Sequence, residues 1–192
     1  LSGRMRNAGT ALGESDDSTR PPIDFLSLQE LGRILPAMGA LAEREGTSLS
    51  IVLLAPSSQM ENDGGSRRLV AESVCGGNVR RADLCALIDG AEVAIVAFDT
   101  SANEAKSLVK RLDALVSGGA EAGDGGPRLS AAIVELKPST ELERAVRRAG
   151  RQGKGGSVSL ERVVELFHLQ DAKSALSDAR ESGGGVRIVE VA

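Results

Sequence analysis

The sequence predicts an α/β fold, an α+β sandwich in which helices flank a mixed central sheet. Three observations carry that expectation. Leu49 to Leu54 and Leu129 to Leu136 are almost continuous apolar runs, as strands covered on both faces require. Segments of helical period lie between the apolar runs. One tight hairpin, centred on Asp89-Gly90, sits among those helical crossovers, so parallel and antiparallel pairing must coexist. At 192 residues the chain can build one domain with a substantial core and is short for two.

Residues 1 to 22 are small and polar with a closing Pro-Pro, the composition of a linker or disordered arm, so the domain is expected over 23 to 192. Ser27 and Glu30 have capping-box spacing. Leu28, Leu31, Leu35, Met38 and Leu41 follow at helical intervals up to Gly46, with Pro36 expected to kink the helix. After the Leu49 to Leu54 strand, 57 to 65 reads as a loop and about Ser66 to Cys75 as a helix ended by Gly76-Gly77-Asn78. Asp83 to Ile88 and Glu92 to Phe98 read as the hairpin strands, because Asp-Gly tolerates the positive φ of a type I′ turn. Asn103 to Val116 is helical, with Ala105, Leu108, Val109, Leu112 and Leu115 or Val116 on one face. Beyond the glycine-rich 118 to 127 come the Leu129 strand, a short basic helix from Thr140, and a breaker over 150 to 156. A long helix from about Leu160 to Glu181 and a strand from Val186 to Val191 close the chain, 150 to 182 forming an extended helical segment.

Composition narrows the function classes. A net charge of -4 argues against a phosphate-backbone partner, and three Phe with no Tyr or Trp leave few platforms for stacking bases, so no nucleic acid is expected. No apolar run approaches the ~20 residues of a membrane span, and no signal-peptide pattern is present, so a cytoplasmic setting is expected. Cys75 and Cys85 lack metal-ligand spacing with the lone His168, so no metal site is expected there. His168 and both Cys read as structural residues. The basic residues Arg144, Arg147, Arg148 and Arg151 read as a solvated face.

The hairpin region reads Arg80-Arg81-Ala82-Asp83-Leu84-Cys85-Ala86-Leu87-Ile88-Asp89-Gly90-Ala91-Glu92-Val93. It resembles the GGDEF family of diguanylate cyclases, in which an Arg-x-x-Asp motif ends five residues before a Gly-Gly-Asp/Glu-Glu-Phe turn. Asp24-Phe25-Leu26-Ser27 is similar to the family's opening Asp-x-Leu-Thr, and the resemblance spans about Asp24 to Ala149. It implies a nucleotide-cyclase-like sheet whose hairpin carries the signature as Asp89, Gly90, Ala91, Glu92 and Val93. Family catalysis uses two metal ions held by signature carboxylates and an Asp after the first core strand. Here Ala55, Pro56 and Ser57 follow that strand, Ala91 takes the third signature position, and Glu92 alone remains acidic where a ligand is needed. The resemblance therefore implies a degenerate domain that is not an enzyme and needs no cofactor.

The Arg-x-x-Asp is intact and occurs once in the chain. In the family it is the inhibitory site for cyclic di-GMP, bound as an intercalated dimer. By resemblance, Arg80 and Asp83 hold the ligand, Arg111 on the following helix is the third residue, and Arg81 is an auxiliary. A guanidinium fork suits guanine O6 and N7, and a carboxylate suits the N1 and N2 donors. The expected role is a cyclic di-GMP receptor that signals to a downstream protein or an upstream sensor domain, with a homodimer also in view. The alternatives are a nucleotide-independent interaction or dimerisation module and a residual GTP-binding regulatory domain. A plain surface ion pair between Arg80 and Asp83, and plain turn chemistry at Asp89-Gly90, are the structural alternatives.

Overall fold

The computed structural model describes residues 25–57, 78–88, 92–116, 129–138 and 167–189. The expected helices at 66–75 and from Thr140, the linker 1–22, the breaker 150–156 and the signature residues Asp89, Gly90 and Ala91 lie outside them. Six strands and three helices are described: β1 (Leu26–Ser27), α1 (Leu28–Glu45), β2 (Leu49–Pro56), β3 (Leu84–Leu87), β4 (Val93–Phe98), α2 (Ala102–Val116), β5 (Leu129–Leu136), α3 (Leu169–Glu181) and β6 (Gly185–Val189).

The helices start where local chemistry satisfies their free N–H groups. Glu30 N–H donates to Ser27 Oγ at 3.2 Å while Ser27 N–H donates to Glu30 Oε2 at 2.8 Å, completing the box that opens α1. Gly46 closes α1 at φ 68, a left-handed conformation that suits glycine. The helix runs on through Pro36, whose ring nitrogen has no N–H to donate. Ser101 and Glu104 repeat the box at α2, so that helix begins one residue earlier than its apolar period suggests.

The sheet order is β1-β3-β4-β2-β5-β6. β1 with β3 and β5 with β6 pair in parallel; the three inner pairings are antiparallel. β2 lies at the centre with all eight residues buried, which is why its sequence is nearly all apolar rather than alternating. Ile51, Leu53 and Ala55 face α1 and α3, joining Leu31, Leu35, Phe167, Ala172 and Leu176. Val52 and Leu54 face α2, joining Ala105, Leu108, Val109 and Leu112. The expected sandwich with a mixed sheet is therefore the observed architecture.

Two details, at His168 and β1, differ from the sequence reading, and the hairpin ends and the α2 face are fixed by the structure. The hairpin register pairs Leu87 with Val93, and Ile88 N–H donates to the Glu92 carbonyl at 3.0 Å. The strands thus meet on either side of 89 to 91, in keeping with the expected strand ends at Ile88 and Glu92. His168 sits at φ 51 and α3 starts after it, so no single helix runs from Leu160 to Glu181. The apolar period continues across that break because Phe167 and Leu169 are both buried, and burial pattern alone does not report a left-handed backbone. Val116 is buried and Leu115 is 49% exposed, which settles the end of the α2 face. The two-residue β1 is an edge strand that was not foreseen, too short to leave a periodic signal.

Candidate functional site

The turn leading into β3 is built by the Arg-x-x-Asp residues themselves. Asp83 N–H donates to the Arg80 carbonyl at 3.0 Å, and Arg80 N–H donates to Asp83 Oδ2 at 3.0 Å. The spacing thus has a local reason, since an Asp three residues on can accept from the backbone and close the turn. Asp83 Oδ1 is buried and has no hydrogen-bond partner among the described residues. Burial pushes the Asp83 carboxyl above its ordinary range, opposed by the Arg80 N–H and then by the Arg80 charge. Arg80 and Arg81 are exposed on the same turn.

Arg111 reaches this turn from α2. Its Nη2 donates to the Asn78 carbonyl at 2.7 Å, and Val79 between Asn78 and Arg80 is buried against the α2 layer. The stretch from Asn78 to Arg80 therefore lies along α2. The N–H and hydroxyl of Ser101 hold the Glu104 carboxyl below its ordinary range, and the Arg80 charge adds to them, so Arg80 also lies within electrostatic reach of the α2 N-terminus. The fold thus sets Arg80, Arg81 and Asp83 on one turn and Arg111 against Asn78, two residues before Arg80. Such a constellation can take a group that offers N–H donors to Asp83 and anionic oxygens to the guanidinium groups.

Of the signature residues, Glu92 lies toward the opposite layer. Glu92 is half-buried, and its Oε1 lies 3.9 Å from Nη1 of Arg180 on α3. The β2–β4 ladder ends at Leu54 opposite Val93, so Glu92 stands beside Ala55 at that end of the sheet. Ser57 and Ser130, 1% and 0% exposed, lie near the same end with hydroxyls that have no hydrogen-bond partner among the described residues. These groups do not fit a pair of divalent ions: one carboxylate, already beside a guanidinium, and neutral hydroxyls are a poor donor set for hard cations. Among the described residues no cluster of three or more His, Cys, Asp or Glu could hold a metal ion. Val93 is buried in the α2 layer and takes no part in this group.

Comparison with solved structures places the architecture. The GGDEF domain of DgcB from Caulobacter crescentus, in complex with c-di-GMP, superposes with a TM-score of 0.59 over 90% of this chain and 96% of its own, at 19% identity. The GGDEF domain of PA1120 (YfiN or TpbB) from Pseudomonas aeruginosa gives 0.61 over 88% and 99%, at 16% identity. The fold is the GGDEF fold. The FimX GGDEF domain from Pseudomonas aeruginosa matches over 88% and 100% with a TM-score of 0.58 at 12% identity. No protein-family model and no curated protein matches the sequence. The GGDEF likeness is thus one of backbone architecture, at 12–19% sequence identity to those domains.

Sequence reasoning missed Arg180, Asn78 and Glu104. The Ser101-x-x-Glu104 spacing was visible as a cap signal. Nothing in the sequence ties Arg180 to Glu92, because α3 folds back over the sheet end only through long-range packing. No described helix is long and apolar enough to cross a membrane.

Proposed function

We propose that this chain is a non-catalytic, cytoplasmic receptor for cyclic di-GMP, binding it at Arg80, Asp83 and Arg111 with Arg81 as an auxiliary cation. The observation that carries the reading is the buried, unpartnered Asp83 Oδ1 beside Arg80, with Arg111 held at the same turn. A guanine edge presents N1–H and N2–H to such an oxygen, and O6, N7 and phosphate to guanidinium groups. An intercalated dimer of the ligand brings four phosphate charges, which suits a site with three Arg. The DgcB GGDEF domain, which has the same fold, is in complex with c-di-GMP in two solved structures, which supports this ligand class. Loss of cyclase activity follows from the sheet end at Glu92, where Ala55, Pro56, Ser57 and Ala91 supply no carboxylate. The signal passes to a downstream protein or a neighbouring sensor domain through whatever surface distinguishes the bound state. A GGDEF-fold cyclase, SiaD, is in complex with its activator SiaC, so protein partners occur on this fold.

Calorimetric titration with cyclic di-GMP, with Arg80→Ala and Asp83→Ala controls and GTP as competitor, tests the reading. Saturable binding lost in both controls supports the receptor. Absence of binding in the wild type overturns it and leaves a nucleotide-independent interaction module. Product formation from GTP and Mg²⁺ that disappears in Glu92→Gln overturns the non-catalytic half.

A further inference from the structure

We propose that the outer face of α1 is the surface on which two copies of this chain pair, antiparallel, about a two-fold axis at Ala37. The proposal goes beyond the receptor reading and does not depend on a ligand at Arg80.

α1 carries two lines of side chains. One, with Leu31, Leu35 and Ala42, joins the core against the sheet, and Gly39 is buried on the same side. The other runs Glu30, Ile34, Ala37, Leu41 and Arg44, in alternating steps of four and three residues. That spacing is the one that keeps a seam of side chains facing a partner helix. Glu30, Ala37, Leu41 and Arg44 are exposed and Ile34 is half-buried, with Leu41 left 37% open. A single exposed Leu calls for no partner. Leu41, however, shares one seam with Ile34 and Ala37, and charged residues close both ends of it.

Those charges select the occupant. Glu30 and Arg44 each lie seven residues from Ala37, on opposite sides of it and with opposite sign, so both fall about two helical turns along the same seam. A two-fold axis at Ala37 therefore sets Glu30 of each copy against the partner's Arg44, and Ile34 against the partner's Leu41. A parallel pair would oppose like charges at both ends, which is why the antiparallel pair is favoured. The small side chain of Ala37 at the axis lets the two helices approach to the ~8–10 Å of packed helices. Glu30 uses Oε2 for the α1 cap, and its Oε1 takes no part in that cap. Arg44 donates to Glu45 Oε1 from Nη2 at 3.1 Å and from Nε at 3.2 Å, an exposed pair of neighbours that holds it only weakly. One helix against one helix is a small interface, so the dimer is expected to dissociate on dilution.

Sedimentation equilibrium from micromolar to near-millimolar chain, without ligand, tests this, with thermal melting by circular dichroism to show that each variant is folded. The wild type is expected to pass from monomer to dimer over that range, and a monomer throughout overturns the proposal. Ala37→Glu places like charges at the axis on an exposed position that suits a helix former, and is expected to abolish the dimer. Dimerisation unchanged in that variant overturns the proposal. Arg44→Glu makes both end pairs repulsive and is expected to weaken dimerisation about tenfold. Adding Glu30→Arg to it restores opposite charges across the seam, and is expected to recover the wild-type dimer although the α1 cap is lost and melting falls. No weakening in Arg44→Glu, or a double variant that melts cooperatively yet stays monomeric, overturns the antiparallel pairing. Because no cyclic di-GMP is present, a failure of the receptor reading leaves each of these results standing.

Discussion

Arg111 Nη2 donates a 2.7 Å hydrogen bond to the carbonyl of Asn78, joining the middle of α2 to the turn that carries Arg80 and Asp83. The bond uses one edge of an exposed guanidinium and leaves its other N–H groups to the surroundings, so the cation is oriented before any ligand arrives. We expect Arg111→Ala to weaken cyclic di-GMP binding by about tenfold or more, the scale of one charge-assisted hydrogen bond. Arg111→Lys should fall between, because it keeps the charge and loses the fork. Calorimetry on the three proteins checks this. Unchanged affinity in the Ala variant would remove Arg111 from the site.

Asp83 gives a pH signature. Burial raises its carboxyl pKa above the ordinary 3.8, so the folded protein keeps a proton that the unfolded chain has already lost. Its contribution to stability is then present in full below the unfolded pKa and is lost as pH rises through the raised folded value. Asp83→Asn carries no such charge and still offers an oxygen to Arg80 N–H. The stability difference between variant and wild type should therefore move in the variant's favour as pH rises through this acid window, measured by urea unfolding at several pH values. A difference independent of pH would mean that Asp83 is as well solvated folded as unfolded. Ligand N–H donors favour the ionised carboxylate, so wild-type affinity should strengthen over the same rise in pH.

Gly39 and Phe167 set the packing of α1 against the residue that precedes α3. A Cβ at Gly39 would stand 3.1 Å from Phe167 Cζ, closer than such contacts normally fall, and Phe167 is fully buried. Gly39→Leu should cost about 1–3 kcal/mol through overpacking, with a fall of about 2–4 °C in Tm per kcal/mol for a chain of this size. Because Gly39 lies in the α1–α3 layer and the Arg80 turn lies against α2, cyclic di-GMP affinity of the folded variant should not change. Thermal melting and the same titration, done together, separate the two layers.

The α1 cap, the buried strands β2 and β5 and the apolar face of α2 were legible in the sequence by itself. Each depends on neighbours three or four residues apart, or on whether a short run is apolar throughout, and such rules act within a single segment. The tertiary structure alone decided the rest: β1 against β3, the turn closed by Arg80 and Asp83, the left-handed His168 before α3, Arg111 on the Asn78 carbonyl, and Arg180 beside Glu92. Those relationships join segments that meet only when both faces of the sheet are covered. Their partners are chosen by the burial of the whole core, which no local spacing encodes.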